Sequence, residues 1–107
     1  MSNYISKINR LVSKPEILAQ IAEECSELGH AALKLRRTMI TDNPTPVTFQ
    51  CALDMFREEA ADLLLCFAII DEGMRILPEE EELKRRKTAK AKRWVQRLEC
   101  RDGNTQE

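Results

Sequence analysis

The chain has 107 residues, 43% hydrophobic and 33% charged, enough for a single small domain with one core, globular and strongly polar on the outside rather than disordered. With 17 basic and 18 acidic residues the net charge is −1, which gives no reason to expect nucleic acid as a partner. Only 3 Gly and 4 Pro are present, too few for the closely spaced turns of an all-β sandwich. The longest apolar run, Leu63 to Ile70, is far short of the ~20 residues that span a bilayer. No signal-peptide apolar stretch stands at the N-terminus, and a cytoplasmic protein is expected.

Four helices are expected in chain order. Tyr4, Ile5, Ile8, Leu11 and Val12 fall at helical spacing over about Asn3 to Val12. Ser13-Lys14-Pro15-Glu16 reads as a capping box with an early-helix proline. It opens a long helix to about Arg37, with an apolar seam of Ile17, Leu18, Ile21, Cys25, Leu28, Ala32 and Leu35 near a 3.5-residue repeat. Thr38 to Val47, carrying Asp42-Asn43-Pro44-Thr45-Pro46, reads as a loop. Thr48 suits the cap of a third helix ending near Glu72, with Gly73 as its stop. Its seam takes in Phe49, Leu53, Phe56, Ala60, Leu63, Leu64, Phe67 and Ile70. Pro78 opens the last helix, whose acidic start, Glu79 to Glu82, and basic body, Lys84 to Arg97, suit the helix dipole. Trp94 is expected to pack with Leu83, Ala91 and Leu98, and the tail from Arg101 to Glu107 to fray.

Leu63 to Ile70 is apolar in every direction around its axis, and such a helix must be covered all round. A homo-oligomer with this helix at its centre follows, with Ile69 on the side turned away from the monomer seam. The cysteines Cys25, Cys51, Cys66 and Cys100 form no C-x-x-C pair, and one histidine is too few for a Cys/His zinc site. Reduced thiols in a cytoplasmic protein are the expectation.

The chemistry lies in two acid pairs. Glu24 and Glu27 stand three apart on the second helix, Glu59 and Asp62 three apart on the third, so each pair shares a helix face. By helix geometry Glu24 lies roughly 60° and Glu59 roughly 80° from the mean direction of its seam, turned in the same sense. If the two helices pack together, four carboxylates face one another. Two like charges at 4 Å repel by ~4 kcal/mol at an effective dielectric near 20, and a hard divalent cation relieves this. Glu27-Leu28-Gly29-His30 matches half of a di-iron motif, but His30, the only histidine, points away from the seam, and one chain has too few ligands for that site. On the last helix Lys87, Lys90 and Arg93, spaced by threes, are candidates to hold a polyphosphate.

These residues resemble a known family. Ala22-Glu23-Glu24-Cys25-Ser26-Glu27-Leu28 followed by Glu58-Glu59-Ala60-Ala61-Asp62-Leu63 is similar to the paired motif of the MazG-like, all-α nucleoside triphosphate pyrophosphohydrolases. The resemblance covers about Ile17 to Ile70, with the basic final helix besides. It implies one all-α helical-bundle domain over residues 1–107, assembled as a homodimer or homotetramer. It implies Mg²⁺-dependent cleavage of a nucleoside triphosphate between the α- and β-phosphates, with Mn²⁺ as a substitute ion. Glu24, Glu27, Glu59 and Asp62 would be metal ligands, and Glu23 or Glu58 would help orient the attacking water. Two departures stand out: the connection between Glu27 and Glu59 is long for the family, and no Asn stands among the basic residues of the last helix. The class to weigh against this enzyme is a non-catalytic helical oligomer acting as an interaction or regulatory protein.

Overall fold

The computed structural model describes residues 1–40 and 45–103. Among them are four helices and no strand: α1 (Ser2–Leu11), α2 (Lys14–Arg37), α3 (Phe49–Met74) and α4 (Glu80–Gly103). The fold is all-α. The chain divides into two compact units, Met1–Ile76 and Leu77–Glu107, the first holding α1, α2 and α3 and the second holding α4. No helix of the described residues is long and apolar enough to cross a membrane.

The core of the first unit is an antiparallel hairpin of α2 and α3. On α2 a buried and half-buried row is formed by Ile17, Ile21, Glu24, Leu28, Ala31 and Leu35; on α3 the matching row is Ala52, Phe56, Glu59, Leu63, Cys66 and Ile70. Both rows step by four and three in alternation, the spacing that keeps a straight seam along two packed helices. A glutamate therefore stands inside each seam, not beside it. The expected seam of α2 also included Leu18, Cys25 and Ala32, but these are exposed. Helix α2 carries two apolar rows one residue apart, and apolarity alone does not tell which of them faces inward. Phe49 and Leu64, expected inside on α3, are likewise exposed, Leu64 to 64%.

Ile69 corrects the opposite error. Expected away from the monomer seam, it is only 4% exposed. The cover comes from α1, which packs on α3 with Ile5 buried. Asn9 of α1 donates from Nδ2 to the Ile69 carbonyl oxygen at 3.0 Å, and Ser6 donates to Glu72 at 2.7 Å.

Helix ends follow the expected chemistry in part. Thr48 accepts from the Cys51 backbone N–H at 3.2 Å, as a cap should. Ser13 stands at the N-cap of α2 but makes no side-chain capping bond. Pro15 occupies one of the two positions whose N–H a cap would accept, so half of the usual donors are missing. Gly73 does not stop α3. The helix runs on to Met74 and closes at Arg75, which takes a left-handed conformation (φ 56°) and donates its N–H to Asp71 O at 2.9 Å.

What Gly73 does is admit α1. A Cβ there would lie 2.6 Å from Asn9 Oδ1 and 3.2 Å from both Asn9 Cγ and Lys14 Cε. Gly73→Val should therefore push Asn9 off its bond to Ile69 and destabilise the protein by about 1–3 kcal/mol, read as a lower urea midpoint.

Helix α4 begins with Glu80, Glu81 and Glu82 in its first turn. It continues through Arg101 and Asp102 to Gly103, into the stretch expected to fray; residues 104–107 lie outside the described residues, as does 41–44 of the expected loop. Trp94 is 62% exposed, and Leu83 and Leu98 are exposed with it, so a single helix does not bury its own apolar face as expected.

Candidate metal centre

The two seam glutamates set the site. Glu24 on α2 and Glu59 on α3 are carried inward by the four–three spacing, and Glu27 follows one turn along α2. One carboxylate oxygen from each of Glu24, Glu27 and Glu59 lies within 4.8 Å of the other two. The Oε2 atoms of Glu24 and Glu59 are buried and have no hydrogen-bond partner. The other oxygen of Glu24 is spoken for: Gln20 Nε2 donates to Oε1 at 2.8 Å. That bond fixes the rotation of the carboxylate, leaving Oε2 as the free acceptor.

The electrostatics agree with crowding. Burial, and then the negative charges of Glu27 and Asp62, hold the Glu59 carboxyl above the usual carboxylate range; a hydrogen bond with Glu27 and the charge of Glu24 push it the same way. Cys66, buried beside them, has its thiol raised by burial and by the charges of Glu24 and Asp62. A thiol so held is a poor nucleophile. All four cysteines are free.

The expected ligands are thus brought together unequally. Glu24, Glu27 and Glu59 converge; Asp62 lies outside that trio but close enough for its charge to act on Glu59. Glu23 and Glu58 are exposed and take no part in the cluster. Lys87, Lys90 and Arg93 are exposed on α4, and no ion pair engages them among the described residues; Arg86 is bound to Glu82 at 2.6 Å and Arg101 to Asp102 at 3.0 Å.

Two grooves flank the cluster. One, of about 520 Å³, runs between α1 and the hairpin, with Ile8, Val12, Leu65 and Ile69 on its apolar walls and Glu24 and Asp62 at its acidic edge. The other, of about 360 Å³, is lined by Glu27, His30, Lys34, Met55 and Glu59 among others. His30 is exposed, as expected, yet it faces this groove rather than turning away from the site. Sequence reasoning missed Gln20 and Lys34, and it weighed His30 only to set it aside. Their signal was present as spacing: Gln20 precedes Glu24 by four, and Lys34 follows Glu27 by seven, two turns along the same flank.

Compared with known proteins, the chain matches no family model, no curated protein and no solved structure.

Proposed function

We propose that the protein is a Mg²⁺-dependent nucleoside triphosphate pyrophosphohydrolase, a MazG-like enzyme. The observation that carries this reading is the convergence of Glu24, Glu27 and Glu59 with two buried carboxylate oxygens left without partners. The donors suit the ion. They are all hard oxygens, the set that Mg²⁺ or Mn²⁺ takes, and no thiolate or second histidine competes for a softer metal. Glu24, Glu27 and Glu59 would hold the ion, with Asp62 completing the set through a small side-chain movement. When bound, the ion supplies charge neutralisation of the triphosphate and polarisation of its phosphorus.

The chain's own residues do the rest. Gln20 orients Glu24. Glu27 and Glu59 present carboxylate oxygens from facing helices to the same point. Glu23 and Glu58, exposed near the cluster in sequence, are candidates to orient water. Water adds to the α-phosphorus, the bond to the bridging oxygen breaks, pyrophosphate departs with that oxygen, and one proton goes to solvent. No nucleophilic side chain is needed, which accords with the protonated thiol of Cys66.

The active form in this reading is a homodimer or homotetramer. Its support is an apolar row left outside: Leu18, Ala22, Cys25, Gly29 and Ala32 on α2, with Ala61, Leu64 and Ala68 on α3, all exposed. A second copy would cover it. Four free cysteines accord with a reducing, cytoplasmic setting.

The test is pyrophosphate release from the common ribo- and deoxyribonucleoside triphosphates, with Mg²⁺, Mn²⁺ or a chelator present. Equimolar monophosphate and pyrophosphate in the metal samples is the expected result. Release of neither from any nucleotide would favour the non-catalytic oligomer, for which the same exposed row speaks.

A further inference from the structure

The groove on the Glu27 side of the cluster has a composition that the carboxylates alone do not explain. Helices α2 and α3 run antiparallel, so its walls pair Glu27 with Glu59 at one end and Lys34 with Met55 at the other. Lys34 is half-buried, and no ion pair engages it among the described residues, although carboxylates stand two turns away on its own flank. A lysine in that position lays its aliphatic stem along the groove and keeps its ammonium free. Ser26 and His30 add a hydroxyl and a ring N–H to the same wall. Beyond it, the last turn of α2 is basic, with Lys34, Arg36 and Arg37 together. The gradient therefore runs from two carboxylates, Glu27 and Glu59, to a cationic end within one groove of about 360 Å³, the size of a small-molecule site.

We infer that this groove seats the phosphate tail of the substrate, with Lys34 as its anchoring cation. The inference rests on the reading of the carboxylate cluster as a Mg²⁺ site and goes beyond it by giving the triphosphate a direction. Phosphate oxygens at the acidic end are accepted only through a cation, whereas those at the far end meet an ammonium directly. A polyphosphate held at both ends is fixed in register, and its reacting phosphorus lies beside the carboxylates. Lys34 thus offers a phosphate contact within the first unit itself, independent of the basic row on α4.

The probe is inorganic tripolyphosphate with saturating Mg²⁺, followed by titration calorimetry, alongside steady-state kinetics on whichever nucleotide is cleaved. Lys34→Gln should weaken tripolyphosphate binding about tenfold or more, the worth of one charge-assisted hydrogen bond. It should raise KM more than it lowers kcat and leave Mg²⁺ affinity no weaker. Lys34→Arg should restore most of the binding. Arg10→Gln, which removes an exposed charge on α1, is the control and should bind as wild type. Lys34→Gln binding tripolyphosphate like wild type, while wild type cleaves nucleotides, would overturn the groove and leave the enzyme reading standing. Lysine-dependent binding without cleavage of any nucleotide would do the reverse. A wild type that binds no tripolyphosphate at millimolar concentration would overturn the groove assignment outright.

Discussion

Glu59→Gln should lower Mg²⁺-dependent nucleotide cleavage at least a hundredfold and, in the metal-free protein, raise thermal stability at neutral pH. The two effects have one cause. Glu59 sits in the hairpin seam, where burial and the charges of Glu27 and Asp62 hold its pKa above the ordinary value. An acid whose folded pKa is raised binds more protons folded than unfolded. Its contribution to stability is therefore complete below the unfolded carboxylate pKa, near 4.3, and is lost as pH rises through the folded value. Above that window the metal-free hairpin carries a repulsive cluster, and a neutral amide of the same shape relieves it. The same amide is a poor metal ligand, and outer-sphere partners alone cost 10–100-fold when removed, so a direct ligand should cost at least as much. Glu24→Gln, Glu27→Gln and Asp62→Asn should follow the same pattern in activity. Thermal scans with chelator and with Mg²⁺, read beside pyrophosphate release, check both halves. Four variants cleaving at wild-type rates would sink the site.

Ile69→Glu should unfold the chain, whereas Leu64→Glu should leave it folded and separate its copies. Ile69 is closed over by α1, and Asn9 holds the backbone carbonyl of the same residue. A carboxylate forced there has no partner and costs several kcal/mol. Against a total stability of 5–15 kcal/mol, the cooperative transition should vanish from urea or thermal scans. Leu64 is open to solvent in the single chain, where a charge would be worth only a few tenths of a kcal/mol. In an assembly it would be buried against a second copy. Light scattering after size exclusion should show a dimer or larger for wild type and a monomer for Leu64→Glu. A wild-type monomer at micromolar concentration would contradict this.

The residues differ in how far their sequence betrays them. The number, order and type of the helices are legible because periodicity, Pro15, Thr48 and Pro78 all act locally. Acid pairs three apart are equally legible, since helix geometry alone puts each pair on one face. What stays hidden is rotation. Helix α2 offers two rows at the same four–three spacing, one of them interrupted by Glu24. A reading that follows apolarity takes members of both rows, passing from Ile21 to Cys25 around Glu24, and so places the glutamates at the seam's edge. The packing instead accepts a charge in the interface, a conflict between local hydrophobicity and global fold of the sort that marks functional sites. Gly73 is hidden for a different reason: its role depends on Asn9, more than sixty residues earlier, and no local rule connects them.

Helix α1 is fastened to this hairpin by little. Its described anchors are the burial of Ile5 and of Ile69 beneath it and the bonds of Ser6 to Glu72 and Asn9 to Ile69. The two-helix seam beneath it is far longer. Such an arrangement opens in stages, with the lightly held element released at a free energy well below that of global unfolding. When α1 swings out, Ile8 and Val12 leave the larger groove, and Glu24 and Asp62 at its edge meet solvent while α2 and α3 stay paired. The amides of α1 should therefore exchange with solvent sooner than those of the hairpin, which native-state hydrogen exchange would read.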